Sequence, residues 1–152
     1  MRAVCQRVKE AKVLVDGQTV GEIGPGWLVY LAIGHQETDQ DLEWLVRRLQ
    51  RLRLFVDDES GKEARTIAEV GGGYLVISQF TLMADCRKGS KPSWHRSAPP
   101  QEGEFWYERF LNHLRQESGG AVQAGQFGAH MEVSSTNDGP ITLLLDSRQK
   151  NL

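Results

Sequence analysis

A hydroxyl, an amide and a second hydroxyl follow directly on an apolar run. Ser78, Gln79 and Thr81, with Phe80 set between the last two, close the segment Tyr74 to Ile77. Polar groups that appear where a buried strand leaves the core line whatever cleft opens there, and binding and catalytic groups concentrate at such places. On its own, the segment is a strand end with polar alternation. A second candidate is Asn137-Asp138-Gly139-Pro140-Ile141-Thr142. A Gly-Pro pair reads first as a tight turn, and only about 5–6% of X-Pro bonds are cis. The glycine also lets another backbone or a ligand approach closely.

Familiar catalytic patterns are missing. The chain has no G-x-S-x-G elbow, no Walker loop and no H-E-x-x-H, the spacings that place a serine nucleophile, cradle phosphates or hold zinc. His35, His95, His113 and His130 share no metal-ligand spacing and read as surface or capping residues. Gly71-Gly72-Gly73 precedes a strand, not a helix, so it lacks the context of a phosphate-binding loop and reads as a flexible turn.

Periodicity supplies the elements around these segments. Val4 to Val8 and Ala11 to Val15 read as strands, and Asp16-Gly17 as the hairpin turn into a return strand through Val20 and Ile23. Trp27 to Ile33 is a continuous apolar run, as in a strand buried on both faces. Thr38 is a good N-cap for a helix from about Asp39 to Phe55, with Leu42, Leu45, Val46, Leu49 and Leu52 as its buried stripe. A turn over Asp57 to Gly61 and a strand over Tyr74 to Thr81 come next, then a long polar loop from Cys86 to Pro100. Glu102 to Glu117 reads as a second helix, with Trp106, Phe110 and Leu114 on one side. His130 to Ser134 and Ile141 to Leu145 form the last strands, joined by Asn137-Asp138-Gly139-Pro140. This order lacks regular βαβ alternation. We expect an α+β fold in a single domain over residues 1–152, with a largely antiparallel, barrel-like sheet and two helices packed outside.

Composition bounds the function. The 152 residues are 39% hydrophobic and 25% charged, which suits one globular domain. The formal net charge of −2 gives no global pull towards nucleic acid, so any RNA contact must come from a local patch. Two patches qualify: Arg87, Lys88, Lys91 and Arg96 in the polar loop, and Arg47, Arg48 and Arg51 on the helix face away from the leucines. Cys5 and Cys86 have no paired spacing, which argues against a disulfide scaffold or a cysteine-rich zinc site. The first apolar run breaks at Gln6-Arg7, and no stretch approaches the roughly 20 apolar residues of a membrane span. The expected compartment is the cytoplasm, with no membrane partner.

Together, the two opening segments resemble the D-aminoacyl-tRNA deacylase family. Its signatures are a Ser-Gln-x-Thr-Leu stretch and an Asn-x-Gly-Pro-x-Thr stretch near the C-terminus, and both stand intact here in the right order and separation. The flanks agree: Gln6-Arg7-Val8, Gly21 to Gly26, Gly89-Ser90-Lys91-Pro92-Ser93-Trp94, and Phe127-Gly128-Ala129 with Met131. The resemblance covers Met1 to about Leu145. It departs at Glu63-Ala64-Arg65, where the family usually has Met-Asn after Gly61-Lys62, and at Gln126, where the family often has arginine. The tail Asp146 to Leu152 is longer than the family leads one to expect.

The resemblance implies hydrolysis of the ester joining a D-amino acid, or glycine, to the terminal ribose of tRNA. It implies a homodimer in which a cis Gly139-Pro140 bond projects into the other subunit's site and presents its carbonyls to the substrate ammonium. An L side chain would then meet backbone, a filter that works by clash, and Arg7 would hold the carbonyls with its fixed donors. Ser78, Gln79, Phe80 and Thr81 would form the catalytic stretch. Main-chain amides around Phe80 and Thr81 would stabilise the oxyanion, and the substrate's own 2′-hydroxyl would assist. Thr81 is a poor nucleophile candidate, because no His or Lys in sequence context is poised to activate it. No metal or organic cofactor is called for. Arg87, Lys88, Lys91 and Arg96 would meet tRNA phosphates. Two rivals remain: a related tRNA deacylase of different amino-acid specificity, and a non-catalytic RNA-binding module.

Overall fold

The computed structural model describes residues 1–57 and 59–151. Asp58, inside the turn expected over Asp57 to Gly61, and Leu152, the last residue of the tail, lie outside the described residues. Among the described residues, eight strands, two α-helices and one 3₁₀ turn follow in the order β1 (Arg2–Val15), β2 (Gln18–Ile23), β3 (Gly26–Ala32), α1 (Asp39–Arg51), β4 (Phe55–Val56), β5 (Glu63–Arg65), β6 (Gly73–Ser78), the 3₁₀ turn Phe80–Met83, α2 (Pro100–Ser118), β7 (Val122–Ala124) and β8 (Glu132–Asp146). The α+β class and the two outer helices agree with expectation.

The main sheet is mixed. Strand β1 runs antiparallel to β2, β3 and β8, while β3–β6 and β6–β7 are parallel pairs. Parallel pairing is forced where β3 returns to β6 through α1, and β6 to β7 through α2, because a crossover helix delivers the chain to the same end of the sheet. The sheet curls until β2 meets β7: a Cβ on Gly21 would lie 2.8 Å from the Ala124 carbonyl oxygen. The result is a nearly closed barrel.

Strand β1 is continuous, where the sequence suggests two pieces. Its register with β8 shifts between Gln6 and Val8 and again between Val8 and Glu10. An irregularity that adds a residue flips which face the following side chains take. Ala3 and Cys5 therefore pack on the helix side, while Val8, Ala11 and Val13 fill the barrel with Ile23, Leu28, Leu75 and Ile77. Trp27 to Ile33 and Tyr74 to Ile77 contribute to both cores, as their unbroken apolar character indicates. Asp16 and Gly17 both take positive φ, the conformation of a two-residue hairpin turn.

Helix α1 opens with a reciprocal capping box between Thr38 and Asp41. It ends at Arg51 rather than Phe55. Phe55 instead enters β4 and meets the buried Trp27 edge-on at 5.2 Å, a tertiary contact that helical spacing does not reveal. Helix α2 starts on Pro100 and stops at Gly119 in the left-handed conformation. Strand β6 ends at Ser78, and the residues expected to extend it turn into the 3₁₀ segment. The two expected C-terminal strands are one, β8, and the Asn137-to-Pro140 segment interrupts it as a bulge rather than a hairpin turn.

Candidate active site

Strand β6 delivers its last residue, Ser78, opposite Leu31 of β3. The Gln79 amide still bonds the Leu31 carbonyl at 2.8 Å, and the chain then tightens, with Leu82 N–H reaching the Gln79 carbonyl and Ala84 N–H the Thr81 carbonyl. The amides of Phe80 and Thr81 precede the first of these turn bonds, so they are the donors that a 3₁₀ start leaves without an internal partner. Gln79 Nε2 donates to Thr81 Oγ1, and Ser97 Oγ donates to the Phe80 carbonyl at 3.0 Å.

A cavity of about 370 Å³ opens beside this turn. Ser78, Gln79 and Phe80 form one wall; Leu31 and Ile33, Trp94, Ser97 and Ala98 of the polar loop, Pro100, Gly103 and Tyr107 of α2, and Phe127-Gly128 complete it. Thr81 is absent from the lining. Phe80 and Trp94 meet edge-on at 5.3 Å, and both are largely exposed at the rim. Tyr107 is buried and donates its hydroxyl to the Val76 carbonyl at 2.9 Å. Burial pushes the Tyr107 phenol up, so it stays a protonated donor. Sequence reasoning missed Tyr107 and Ser97. The helical stripe it read holds at Phe110 and Leu114, with Trp106 partly buried against the core, but leaves out Tyr107 and Leu111, which complete the inward face.

Two of the histidines, His95 and His35, are engaged with the polar loop. His95 Nδ1 bonds Ser93 Oγ at 2.9 Å, and His35 Nε2 the His95 carbonyl at 2.8 Å. Among the described residues, no His or Lys hydrogen-bonds Thr81, and no three His, Cys, Asp or Glu side chains cluster so as to hold a metal ion.

The second segment is built by its own side chains. Thr142 pairs with Gln6 and Asn137 with Val8, so Asp138 to Ile141 bulge away from β1. Asn137 Nδ2 bridges the base of the bulge, donating to the Arg7 carbonyl at 2.9 Å and the Ile141 carbonyl at 3.0 Å, and Thr142 Oγ1 donates to Asn137 Oδ1 at 3.4 Å. These bonds replace ladder bonds that the bulge removes. The Gly139-Pro140 bond is cis, and Gly139 has φ +116°, a conformation that glycine alone adopts readily. Behind it sits Arg7, only 5% exposed. Its Nη1 bonds the Leu54 carbonyl and, at 3.0 Å, Glu63 Oε1. Its Nε lies 3.0 Å from Asp138 Oδ2, an ion pair by distance without hydrogen-bond alignment. Glu63, one of the departures from the resembled family, is thus a partner of Arg7.

The structure does not bring the two segments together within one chain. The cavity lining includes neither Arg7, Gly139 nor Pro140. Arg7 lies level with Trp27 and Tyr74, whereas Ser78 lies level with Leu31 and Ala3. Four residues along the strands is about 13 Å, and the three spacings from β8 to β6 add about 14 Å across the sheet.

The basic loop is unevenly free. Asp85 takes Arg87 at 2.6 Å and Arg96 at 3.3 Å, and the side-chain bond from Arg87 holds the Asp85 carboxyl well below the usual carboxylate range. Lys88 and Lys91 are exposed and form no ion pair among the described residues.

Comparison with known proteins gives the family to which a chain of this fold, with these two segments, belongs. A sequence profile of the D-Tyr-tRNA(Tyr) deacylase family matches residues 4–146. The D-aminoacyl-tRNA deacylase of Thermotoga petrophila is 50% identical over 147 residues, covering 97% of each chain. That of Thermus aquaticus is 49% identical over 150 residues, 99% of this chain and 97% of its own. A solved structure described as "c-Myc DNA Unwinding Element Binding Protein" superposes with a TM-score of 0.90 at 37% identity, covering 96% of this chain and 98% of that one. Another, a probable eukaryotic D-amino acid tRNA deacylase, gives 0.80 at 21% identity and shows the shared fold. The chain belongs to the D-Tyr-tRNA(Tyr) deacylase family and is an enzyme of the deacylase class.

Proposed function

We propose that this chain hydrolyses the ester of D-aminoacyl-tRNA and of glycyl-tRNA carried on the wrong tRNA, as a homodimer whose sites are each completed by the partner. The observation that carries this reading is the separation just described: the cavity beside Ser78 and Phe80 lacks the Gly139-Pro140 bulge. The bulge is braced from behind by Arg7 and Asn137, so it is ordered enough to serve as the missing wall of a second copy.

In the assembled site, the terminal adenosine enters the cavity with its ester carbonyl at the Phe80–Thr81 turn. Water attacks the carbonyl carbon, the developing oxyanion takes the Phe80 and Thr81 amides, and the ester C–O bond breaks. The ribose oxygen leaves with a proton, assisted by the neighbouring 2′-hydroxyl, giving free amino acid and tRNA. Thr81, already accepting from Gln79, shapes the turn and forms no covalent intermediate. The partner's Gly139 and Pro140 present carbonyls to the substrate ammonium. A D side chain points away, glycine passes, and an L side chain collides with backbone. Lys88, Lys91, Arg87 and Arg96 meet tRNA phosphates beside the cavity. Among the described residues no helix is long and apolar enough to cross a membrane, and the substrate puts the reaction in the cytoplasm.

The test is release of D-tyrosine and L-tyrosine from charged tRNA, with sedimentation of the same sample. Release of the D form alone, by a dimer, is expected. A monomer at micromolar concentration, or equal release of both forms, would remove the mechanism. The name of the DNA-element-binding relative favours a second reading, binding of nucleic acid without turnover. The same assay separates the two, because only the first predicts free amino acid.

A further inference from the structure

The outer face of α1 carries a charge arrangement that the deacylase reading leaves unused. Its inner face packs Leu42, Leu45, Val46 and Leu49 into the core. Trp44, Arg47, Arg48 and Arg51 stand at i, i+3, i+4 and i+7, one stripe on the opposite side. They line a groove of about 420 Å³ with Gln40, Glu43 and Lys150 of the C-terminal tail. Arg48 and Lys150 each place their cation 5.6 Å from the centre of the Trp44 ring.

Carboxylates one turn away can neutralise cations on a helix face. Here only Arg47 is so balanced, by Glu43 at 2.7 Å. Among the described residues Arg48, Arg51 and Lys150 form no ion pair. Four cations and one carboxylate thus line one groove of a chain whose formal net charge is −2. The tail that supplies Lys150 is itself anchored, since Asp146 bonds the Arg148 amide at 2.9 Å and pairs with Arg2 at 2.9 Å.

Position adds a second argument. Arg2 pairs with Ala32, next to the Leu31–Ser78 pair, so the tail leaves β8 at the cavity's end of the sheet. Helix α1 also starts there, a few residues after Ile33, which lines the cavity. From Trp44 to Arg51 the groove then runs about 10 Å away along the helix.

We infer that this groove is a docking surface for the sugar-phosphate backbone of the tRNA body, separate from the loop cations that flank the cavity. The inference rests on the deacylase reading for the identity of the RNA. Charge complementarity commits it to a polyanion. Cations repeated each helical turn along a concave track, with an indole plane among them, suit a nucleic-acid strand better than an acidic protein patch.

The test uses uncharged tRNA and the full chain. Affinity is measured across a salt series for the wild type, for R48Q/R51Q/K150Q, and for R48K/R51K. All three positions are exposed, and the thermal midpoint confirms folding. The triple variant is expected to bind about tenfold more weakly or worse, with the slope of log affinity against log salt reduced by about two to three, while the lysine variant keeps most of both. Unchanged affinity and slope in the folded triple variant would overturn the inference. So would equal loss in the lysine variant, which would point to side-chain shape rather than charge. Hydrolysis of D-tyrosyl-tRNA by the wild type is scored alongside. Its absence would sink the deacylase reading while leaving the binding result to decide the groove.

Discussion

At the scale of single residues, Gly139 concentrates the argument. Its φ of +116° already disfavours any side chain. A Cβ there would lie 3.0 Å from Arg7 Nη2 and 3.1 Å from the Ile141 amide nitrogen. Arg7 is held by Leu54, Glu63 and Asp138, and the amide belongs to the bulge itself, so neither yields cheaply. Gly139→Ala should therefore turn the carbonyls of residues 139 and 140 away from the cavity they would face in the proposed dimer. Overpacking of this kind costs ~1–3 kcal/mol, or about one to two powers of ten in rate if felt in the transition state. The loss should be the same for D-aminoacyl and glycyl esters, with the dimer retained, and kcat/KM on both esters checks it. Full activity in a folded dimer would place the chirality filter elsewhere. The glycine was visible in the sequence as a point of close approach. Arg7 as its support came only from family resemblance, because the Leu54 and Glu63 contacts reach across some 50 residues of chain.

At the scale of elements, local patterns read well where one short-range rule decides. Asp16-Gly17, the Thr38 cap and the doubly buried β3 all stand where periodicity and turn chemistry put them. They mislead where tertiary contact decides. Phe55 fits a helical stripe but goes to Trp27, and Asn-Asp-Gly-Pro carries every mark of a hairpin turn but sits inside one strand. Asn137 explains the latter, since its amide donates across the base of the bulge to Ile141 and over to Arg7 of β1. Asn137→Ala should leave two buried-edge carbonyls short of a partner, at about 1–3 kcal/mol. The expected outcome is a lower thermal midpoint together with a lower kcat on D-tyrosyl-tRNA. Retained kcat in a variant of reduced midpoint would mean that the bulge holds its shape without the bridge.

At the scale of the whole molecule, net charge is a poor guide, because −2 overall conceals two cationic patches on different elements. The sequence shows both clusters but not which cations are already neutralised, since Asp85 reaches Arg87 and Arg96 only once the loop has folded. A guanidinium bound by a carboxylate brings little net charge to a phosphate, whereas Lys88 and Lys91 are exposed and form no ion pair among the described residues. Lys88→Gln with Lys91→Gln should therefore weaken tRNA binding and lower the salt slope by roughly one and a half to two. Arg87→Gln alone should do less, because it also frees Asp85 to hold Arg96. Phosphate contacts carry no information about the amino acid, so the ratio of D- to L-tyrosine released should not move in either variant. The check is kcat/KM for both stereoisomers across a salt series. A changed ratio at unchanged affinity would make these lysines part of the amino-acid site and would undo their assignment to the tRNA backbone.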